Sequence, residues 1–312
     1  MTSESIEVVS VNISEQKGTI KHPVPEVTIN ERGIVGDAHA GMPNRFVSLL
    51  SQESIERFSS EMGRELSPGD FAENLTTRNL DDAEVSLLDR FKIGDVELEV
   101  TQIGKECHGT GCAIFREVGR CVMPKQGIFC RVRTGGRVKP GDLIDHVHKL
   151  LRFKIITLSD RASRGEYEDR SGPRVRQLVE QFATGKRWRV ECDATIIPDD
   201  PDLLRAEIRQ ARDAGRDVII TTGGTGVGPR DITPDVVTGE CEKLIPGIME
   251  HIRFKYGSDR PAALLSRSVA GVCGTALVYS LPGSVKAVEE YMSEIVKSLE
   301  HLILMIHAVD AH

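Results

Sequence analysis

The stretch Thr221-Thr222-Gly223-Gly224-Thr225-Gly226 concentrates three glycines in four positions, with Gly228 two residues on. Without a Cβ, glycine tolerates unusual backbone angles, so several N–H groups of such a loop can face one anion. Asp231-Ile232-Thr233-Pro234-Asp235 then opens a helix, with Thr233 as N-cap and Pro234 as the first helical residue. The partial positive charge of a helix start adds about 0.3–1 kcal/mol to a nearby anion. The pattern suits a phosphate-bearing ligand; its plain alternative is a glycine-rich connection with a helix cap. Two common phosphate loops are excluded. No Lys follows the glycines as a Walker loop requires, and Pro229 stands where the dinucleotide fingerprint places its third glycine.

Asp199 and Asp231 leave neighbouring strand ends in the same half. Carboxylates grouped around a phosphate repel it unless Mg²⁺ lies between them, a combination suited to phosphoryl or nucleotidyl transfer. Asp200 reads instead as the cap of the following helix. The other half offers sulfur. Cys107 follows a strand-like run and sits beside Lys105 and His108, whose positive charge favours the thiolate, a soft ligand and a nucleophile for sulfur transfer. Cys112, Cys121 and Cys130 lie close by, but no Cys-x-x-Cys occurs, so a structural zinc cluster is weakly supported and buried inert thiols suit these three better.

These residues need elements to hold them. In the second half, the apolar run Phe153–Leu158 and the segments Ala194–Ile197, Asp217–Thr221 and Ala276–Tyr279 read as buried strands. They alternate with helical patterns carrying Val175, Leu178, Val179 and Phe182, with Leu203–Ala211, and with a long final helix from Val285 to Ile306. The expectation is a three-layer α/β/α domain with a mostly parallel sheet, whose polar loops meet at the carboxyl edge of the strands. The first half has alternating strands around Ile6–Ile13 and Asp95–Thr101, a Gly135-Gly136 hairpin signal, and one helix over Leu49–Met62. It reads as a β-rich, barrel-like domain. The boundary falls near Asp145–Arg152, giving domains 1–148 and 149–312.

Bulk properties narrow the function. The 312 residues suffice for two cores. Forty basic against 47 acidic residues, net charge −7, give no basic field for nucleic acid, so an anionic substrate must be held by local donors or a metal. Met1-Thr2-Ser3-Glu4-Ser5 lacks the features of a signal peptide, and no apolar run reaches membrane length. The expected compartment is the cytoplasm, without a membrane partner, and the seven cysteines read as free thiols.

Thr157-Leu158-Ser159-Asp160-Arg161-Ala162-Ser163, with Gly165-Glu166-Tyr167-Glu168-Asp169, resembles the opening of molybdopterin adenylyltransferase domains of the MogA/MoaB type. Thr221–Gly226 with Arg230-Asp231-Ile232-Thr233-Pro234 resembles their central motif, and Pro246-Gly247, Ser266-Arg267 and Leu281-Pro282-Gly283-Ser284 complete the series. The resemblance spans about residues 152–312. It implies transfer of AMP from ATP to the terminal phosphate of molybdopterin with release of pyrophosphate, and Mg²⁺ as the ion. It makes Asp199 and Asp231 the essential acids and Mg²⁺ ligands. Thr221, Thr222, Gly223, Gly224, Thr225 and Gly226 would hold phosphates; Ser159, Asp160, Ser266 and Arg267 would line the pterin-phosphate side; Pro282, Gly283 and Ser284 would close the pocket. Related domains are commonly trimers, which extends the expectation to a homotrimer with a molybdate-insertion enzyme as a further partner. Binding-only sensors and scaffolds share the same fold.

The first half also resembles a family. Gly33-Ile34-Val35-Gly36-Asp37-Ala38-His39-Ala40-Gly41, Val47-Ser48-Leu49-Leu50, Pro68-Gly69-Asp70-Phe71-Ala72-Glu73-Asn74-Leu75, Thr101–His108, Met123-Pro124, Gly127-Ile128-Phe129 and Gly141-Asp142 are similar to stand-alone MOSC domains, which are β-rich and related to the C-terminal domain of molybdenum cofactor sulfurases. The family's cysteine matches Cys107, implying a sulfur carrier or a molybdenum ligand; His39, Arg45 and Asn74 line the pocket or serve the framework. The combined expectation is a bifunctional molybdenum-cofactor protein. The alternatives are a non-catalytic cofactor carrier or sensor, and a sulfurtransferase acting through Cys107.

Overall fold

The computed structural model describes residues 5–41, 44–80, 83–105, 122–184 and 186–309. The chain divides into two compact units, Met1–Lys149 and Leu150–His312. Cys107, Cys112 and Cys121 lie outside the described residues; Cys130 is buried. Among the described residues no helix is long and apolar enough to cross a membrane.

The first unit contains β1 (Ile6–Ile13), β2 (His22–Val24), β3 (Val27–Asn30), β4 (Gly33–Ile34), β5 (Val47–Ser51), β6 (Leu75–Arg78), β7 (Arg90–Ile93), β8 (Val96–Ile103), β9 (Ile128–Thr134), β10 (Gly136–Val138) and β11 (Leu143–Val147), with helices α1 (Gln52–Met62) and α2 (Met123–Gln126). The main sheet runs β11-β7-β8-β9-β5-β6-β1-β2, and β1 also pairs with β11, closing seven strands into a barrel. Val8, Val11, Leu49, Leu75, Phe91, Leu98 and Val100, all at 0% exposure, pack in one core. Along β1 the strict two-residue alternation fails between Val8 and Val11. A register shift against β6 between Val8 and Ser10 accounts for it, since the extra residue of a bulge turns the strand's phase.

Two local expectations are corrected. Leu49 and Leu50 do not begin the helix; they belong to β5, which pairs with β6 and β9 and is buried along its whole length. A short apolar run reads equally as strand or helix, and burial between two neighbours decides it. The helix starts after Ser51, whose side chain accepts from the Ser54 amide. The Gly135-Gly136 pair is not a hairpin turn either. β9 pairs with β8 and β5, whereas β10 pairs with β3 in a separate sheet, β10-β3-β4. A Cβ at Gly135 would lie 2.4 Å from the Ile29 carbonyl oxygen, so glycine is needed there for a close crossing between sheets.

The second unit has a sheet of β12 (Leu150–Leu158), β13 (Arg189–Ile197), β14 (Val218–Thr222), β15 (Lys243–Leu244), β16 (Ala270–Cys273) and β17 (Ala276–Leu281), ordered β13-β12-β14-β17-β16-β15. The first four are parallel; β16 runs antiparallel to β17 and β15 antiparallel to β16, so the sheet is mixed as well as mostly parallel. Its helices are α3 (Asp160–Ser163), α4 (Ser171–Thr184), α5 (Pro201–Asp213), α6 (Thr233–Glu240), α7 (Pro246–Gly257) and α8 (Val285–Ile306). α5 and α6 bury Leu204, Ile208, Val236 and Val237 with Ile156, Ile219 and Val278 of the sheet. α4 and α8 pack together on β12 and β17 at the other face, completing three layers. After β12 the chain leaves through α4, and after the adjacent β14 it leaves through α6 on the opposite face. The crevice between those two strand ends is the switch point where open α/β sheets bind ligands.

Glu73 of the first unit is fully buried. Its Oε1 accepts from the Gly69 amide (2.6 Å) and the Thr76 hydroxyl (2.8 Å), while Oε2 has no partner. Burial pushes its carboxyl up to about 7, against the hydrogen bonds from Gly69 and Thr76. Between its ordinary value of 4.5 and about 7 the folded state therefore binds more protons than the unfolded chain, and stability falls as pH rises through that window. Urea unfolding of wild type and Glu73→Gln at about pH 5 and pH 8 should show the variant gaining on wild type by roughly 3 kcal/mol over the interval. Parallel pH profiles would contradict this.

Candidate active site

Four segments meet at the carboxyl edge of the second sheet. Ser159 and Asp160 follow β12, Asp199 follows β13, the glycine loop follows β14, and Pro282-Gly283-Ser284 follows β17. The β12 and β14 ends are locked together: a Cβ at Gly223, where φ is +106°, would lie 2.4 Å from the Leu158 carbonyl oxygen. On the other side a Cβ at Gly283 would sit 3.3 Å from Gly223 Cα, and the Thr222 hydroxyl donates to the Pro282 carbonyl at 3.0 Å.

The loop's carbonyls all point into the protein. The Gly223 carbonyl accepts from the Thr233 hydroxyl (2.8 Å) and that of Gly224 from the Thr233 amide (3.1 Å). The Thr225 carbonyl accepts from the Arg267 amide (2.9 Å) and that of Gly226 from Arg267 Nε (2.8 Å). Among the described residues, the amides of Gly224, Thr225 and Gly226 donate to no protein group. A peptide whose oxygen is anchored inward presents its N–H on the opposite side, so the loop offers a concave row of donors for an anion. Thr233 is thus the first residue of α6 and a loop anchor, not its N-cap as expected from sequence; Ile232 stands at the cap without a side-chain bond.

Beside this row lie the acids. Asp160 and Asp199 exchange bonds: the Asp199 amide donates to Asp160 Oδ1 (3.1 Å) and the Asp160 amide to Asp199 Oδ2 (3.4 Å). Asp199 Oδ1 approaches the Gly224 position, 3.8 Å from where its Cβ would stand. Asp231 curls under the loop, its Oδ2 accepting from the Gly228 amide at 2.7 Å. A Cβ at Gly226 would meet that oxygen at 2.7 Å, which explains the third glycine. Burial pushes the Asp199 carboxyl up, and the charges of Asp160 and Asp231 add to it, against the Asp160 amide and Arg230. Asp200 caps α5, accepting from the amides of Asp202 and Leu203.

The remaining expected residues divide. The Ser159 hydroxyl caps α3 and that of Ser284 caps α8, so both also fix helix starts at the rim. Arg267 is not free to reach outward. Beyond the loop, its guanidinium donates to the Asp231 carbonyl (2.6 Å) and to both oxygens of Asp235 (2.9 and 3.0 Å). Ser266 turns towards Ser268 (Oγ to Oγ 2.9 Å) and lines a separate cavity of about 380 Å³ with Met249, Arg253 and Leu264. Three contributors were missed or given another role from sequence: Thr233, expected as a cap, and Asp235 serve as anchors, and the Arg230 guanidinium pairs with Asp160 at 3.2 Å. Arg230 and Asp235 flank Asp231 in the chain, the signal that could have found them.

In the first unit, Asn74 is a framework residue. It is buried, bonded to the Ser48 amide and to the Asn12 carbonyl. The His39 amide donates to Asp37 (3.0 Å), and Asp37 forms a buried ion pair with Lys21. Arg45 donates to Gln102 (2.6 Å) beside the Phe129 ring.

A family model described as a probable molybdopterin binding domain matches residues 154–301, and the MOSC domain model matches residues 36–145. The molybdopterin adenylyltransferase of Helicobacter pylori (strain J99) is 32% identical over 157 residues, 50% of this chain and 88% of that protein. The molybdenum cofactor biosynthesis bifunctional protein of Synechococcus elongatus is 36% identical over 157 residues, 50% of this chain and 47% of that protein. The solved structure of the molybdopterin biosynthesis enzyme MoaB from Thermus thermophilus aligns at a TM-score of 0.45 with 33% identity, covering 51% of this chain and 97% of that one.

Arg267→Ala should release the carbonyls of Gly226 and Asp231 together. The expected loss of stability is about 1–3 kcal/mol by chemical denaturation, with faster exchange of the Gly228 amide, which Asp231 holds. Arg267→Lys should recover little, because an ammonium cannot form the planar fork. Unchanged exchange in both variants would show that the loop holds itself.

Proposed function

The chain belongs to the family of molybdopterin adenylyltransferases through its second unit and carries a MOSC domain in its first, and from this premise we propose that it adenylylates molybdopterin. The observation that carries the reading is the outward row of amides at Gly224–Gly226 beside three carboxylates. Donors for a phosphate and acids that repel it coexist only if a cation lies between them.

In the proposed reaction, an oxygen of the terminal phosphate of molybdopterin attacks the α-phosphorus of ATP. One P–O bond forms, the bond to the β-phosphate bridge breaks, and pyrophosphate leaves. The loop amides bind and orient the polyanion, supplying fixed dipoles that need no rearrangement as charge shifts. Asp199 and Asp231 suit a Mg²⁺ ion. Asp199 is partly desolvated and crowded by like charge, and Asp231 has one oxygen fixed by the Gly228 amide. Bound there, the ion neutralises phosphate charge. Arg230, held on Asp160 at the mouth, is a cation that an incoming phosphate can recruit.

For the first unit the reading is binding or sulfuration of the cofactor through Cys107, supported by the MOSC match that spans this residue. A homotrimer, and delivery of the product to a molybdate-insertion enzyme, belong to the same proposal.

Full-length protein with ATP, Mg²⁺ and molybdopterin should form adenylylated pterin and pyrophosphate, detected by liquid chromatography and mass spectrometry. Asp199→Asn and Asp231→Asn should each lower the rate at least about 100-fold, the scale of removing a group that stabilises transition-state charge. Tight pterin binding with no product in wild type would reject the transferase reading in favour of a carrier.

A further inference from the structure

Away from the second unit's site, one set of metal-competent side chains converges among the described residues. Asp89, His146 and His148 each offer a ligand atom, and these atoms all lie within 4.8 Å of one another. The barrel builds the arrangement. β11 and β7 pair antiparallel with Val147 opposite Arg90, so the next pair outward brings His148 to Asp89. His146 and His148 are two residues apart, which puts both imidazoles on one side of the strand path. His146 Nε2 is 2.8 Å and His148 Nδ1 3.6 Å from Asp89 Oδ2. Tetrahedral zinc with ligands at about 2.0–2.1 Å places them about 3.3 Å apart, and the two distances bracket that value.

The surroundings resemble a prepared ligand shell. Asp89 is fully buried and its carboxylate is held by backbone: Oδ1 accepts from the Lys149 amide (2.7 Å) and Oδ2 from the Ser86 amide (2.8 Å). Outer-shell bonds of this kind orient a ligating carboxylate before the ion arrives. Beside it the Ser86 hydroxyl is buried with no hydrogen-bond partner. The His146 side chain is 8% exposed and that of His148 21%, leaving one opening at His148. A buried aspartate needs a single imidazole to satisfy it. Here a second ring is pressed against the first, 4.1 Å between centroids.

We propose that Asp89, His146 and His148 bind one zinc ion, with water completing the shell, and that it fastens the end of β11 to the entry of β7 where the chain leaves the first unit. Binding needs neutral imidazoles with His146 Nε2 and His148 Nδ1 unprotonated. Two imidazoles and a carboxylate select a borderline-soft ion over Mg²⁺, which keeps this site distinct from Asp199 and Asp231.

Full-length protein, stripped of metal, should bind one equivalent of Co²⁺ with the visible absorption of a tetrahedral nitrogen/oxygen site, and Zn²⁺ should displace it. His148→Gln, at the opening and so least disruptive to folding, should weaken binding at least about 100-fold, beyond the 10–100-fold typical of losing an outer-shell partner. Asp199→Asn/Asp231→Asn should bind as wild type does. X-ray absorption of the zinc-loaded wild type, which needs no variant, should show scattering from two imidazoles and no sulfur. Failure of wild type to bind, undiminished binding by His148→Gln, or sulfur in the zinc shell would each overturn the assignment.

Discussion

The second unit's site depends on one constraint: the four carbonyls from Gly223 to Gly226 are all bonded from behind. Thr233 secures the first pair and Arg267 the second. Polar backbone groups near a buried strand end must find partners; the Gly223 amide bonds to the Leu281 carbonyl, and from Gly224 to Gly226 only the carbonyls find partners in the protein. The glycines supply the permitted angles, but angles alone would leave the loop many conformations. The anchors choose one. Asp235 in turn holds Arg267, and Gly228 holds Asp231, so the carboxylate and the amide row are positioned by one network.

Much of this was visible in the sequence because it is local. Buried parallel strands announce themselves as short apolar runs; the glycines and Asp199 fall directly after them, and Asp231 follows the glycine loop. Asp200 as a cap was legible for the same reason. What escaped was pairing between distant segments. Arg267 looked like a ligand-facing cation because nothing near it in the chain shows that Asp235 takes both arms of its fork. Thr233 looked like a cap because Ser and Thr before a proline usually are. β16, four residues containing a glycine, gives almost no signal of its own and exists because β17 offers it an edge.

The barrel teaches a related lesson. Leu49 and Leu50 continue into a helix by pattern but into the sheet by contact, and the change occurs at Ser51, whose side chain caps the helix start. The Gly135-Gly136 pair has the composition of a turn, yet its role is to let one sheet pass close over another at Ile29. In both cases the same residue type satisfies two geometries, and only the neighbours across space distinguish them. The Asp89 cluster was invisible for the opposite reason: its residues are chemically suggestive but far apart in sequence, and barrel closure through β11 brings them together.

The bonds that shape the glycine loop span long stretches of chain: 39 residues between Asp160 and Asp199, 60 between Thr222 and Pro282, 41 between Gly226 and Arg267. The Thr222–Pro282 bond cannot form before β17 has docked beside β14, whereas Asp160 and Asp199 need only the pairing of β12 with β13. Closing such loops costs entropy that is recovered only when distant contacts are made. The half of the loop held by Arg267 therefore depends on distant contacts, whereas the half held by Thr233 needs only bonds to a residue about ten positions along the chain. A second unit in which Arg267 has not docked has the glycines but only half of their anchors. Ligand that stabilises the loop draws on these distant contacts, so occupancy of the site is tied to more of the unit than the loop alone.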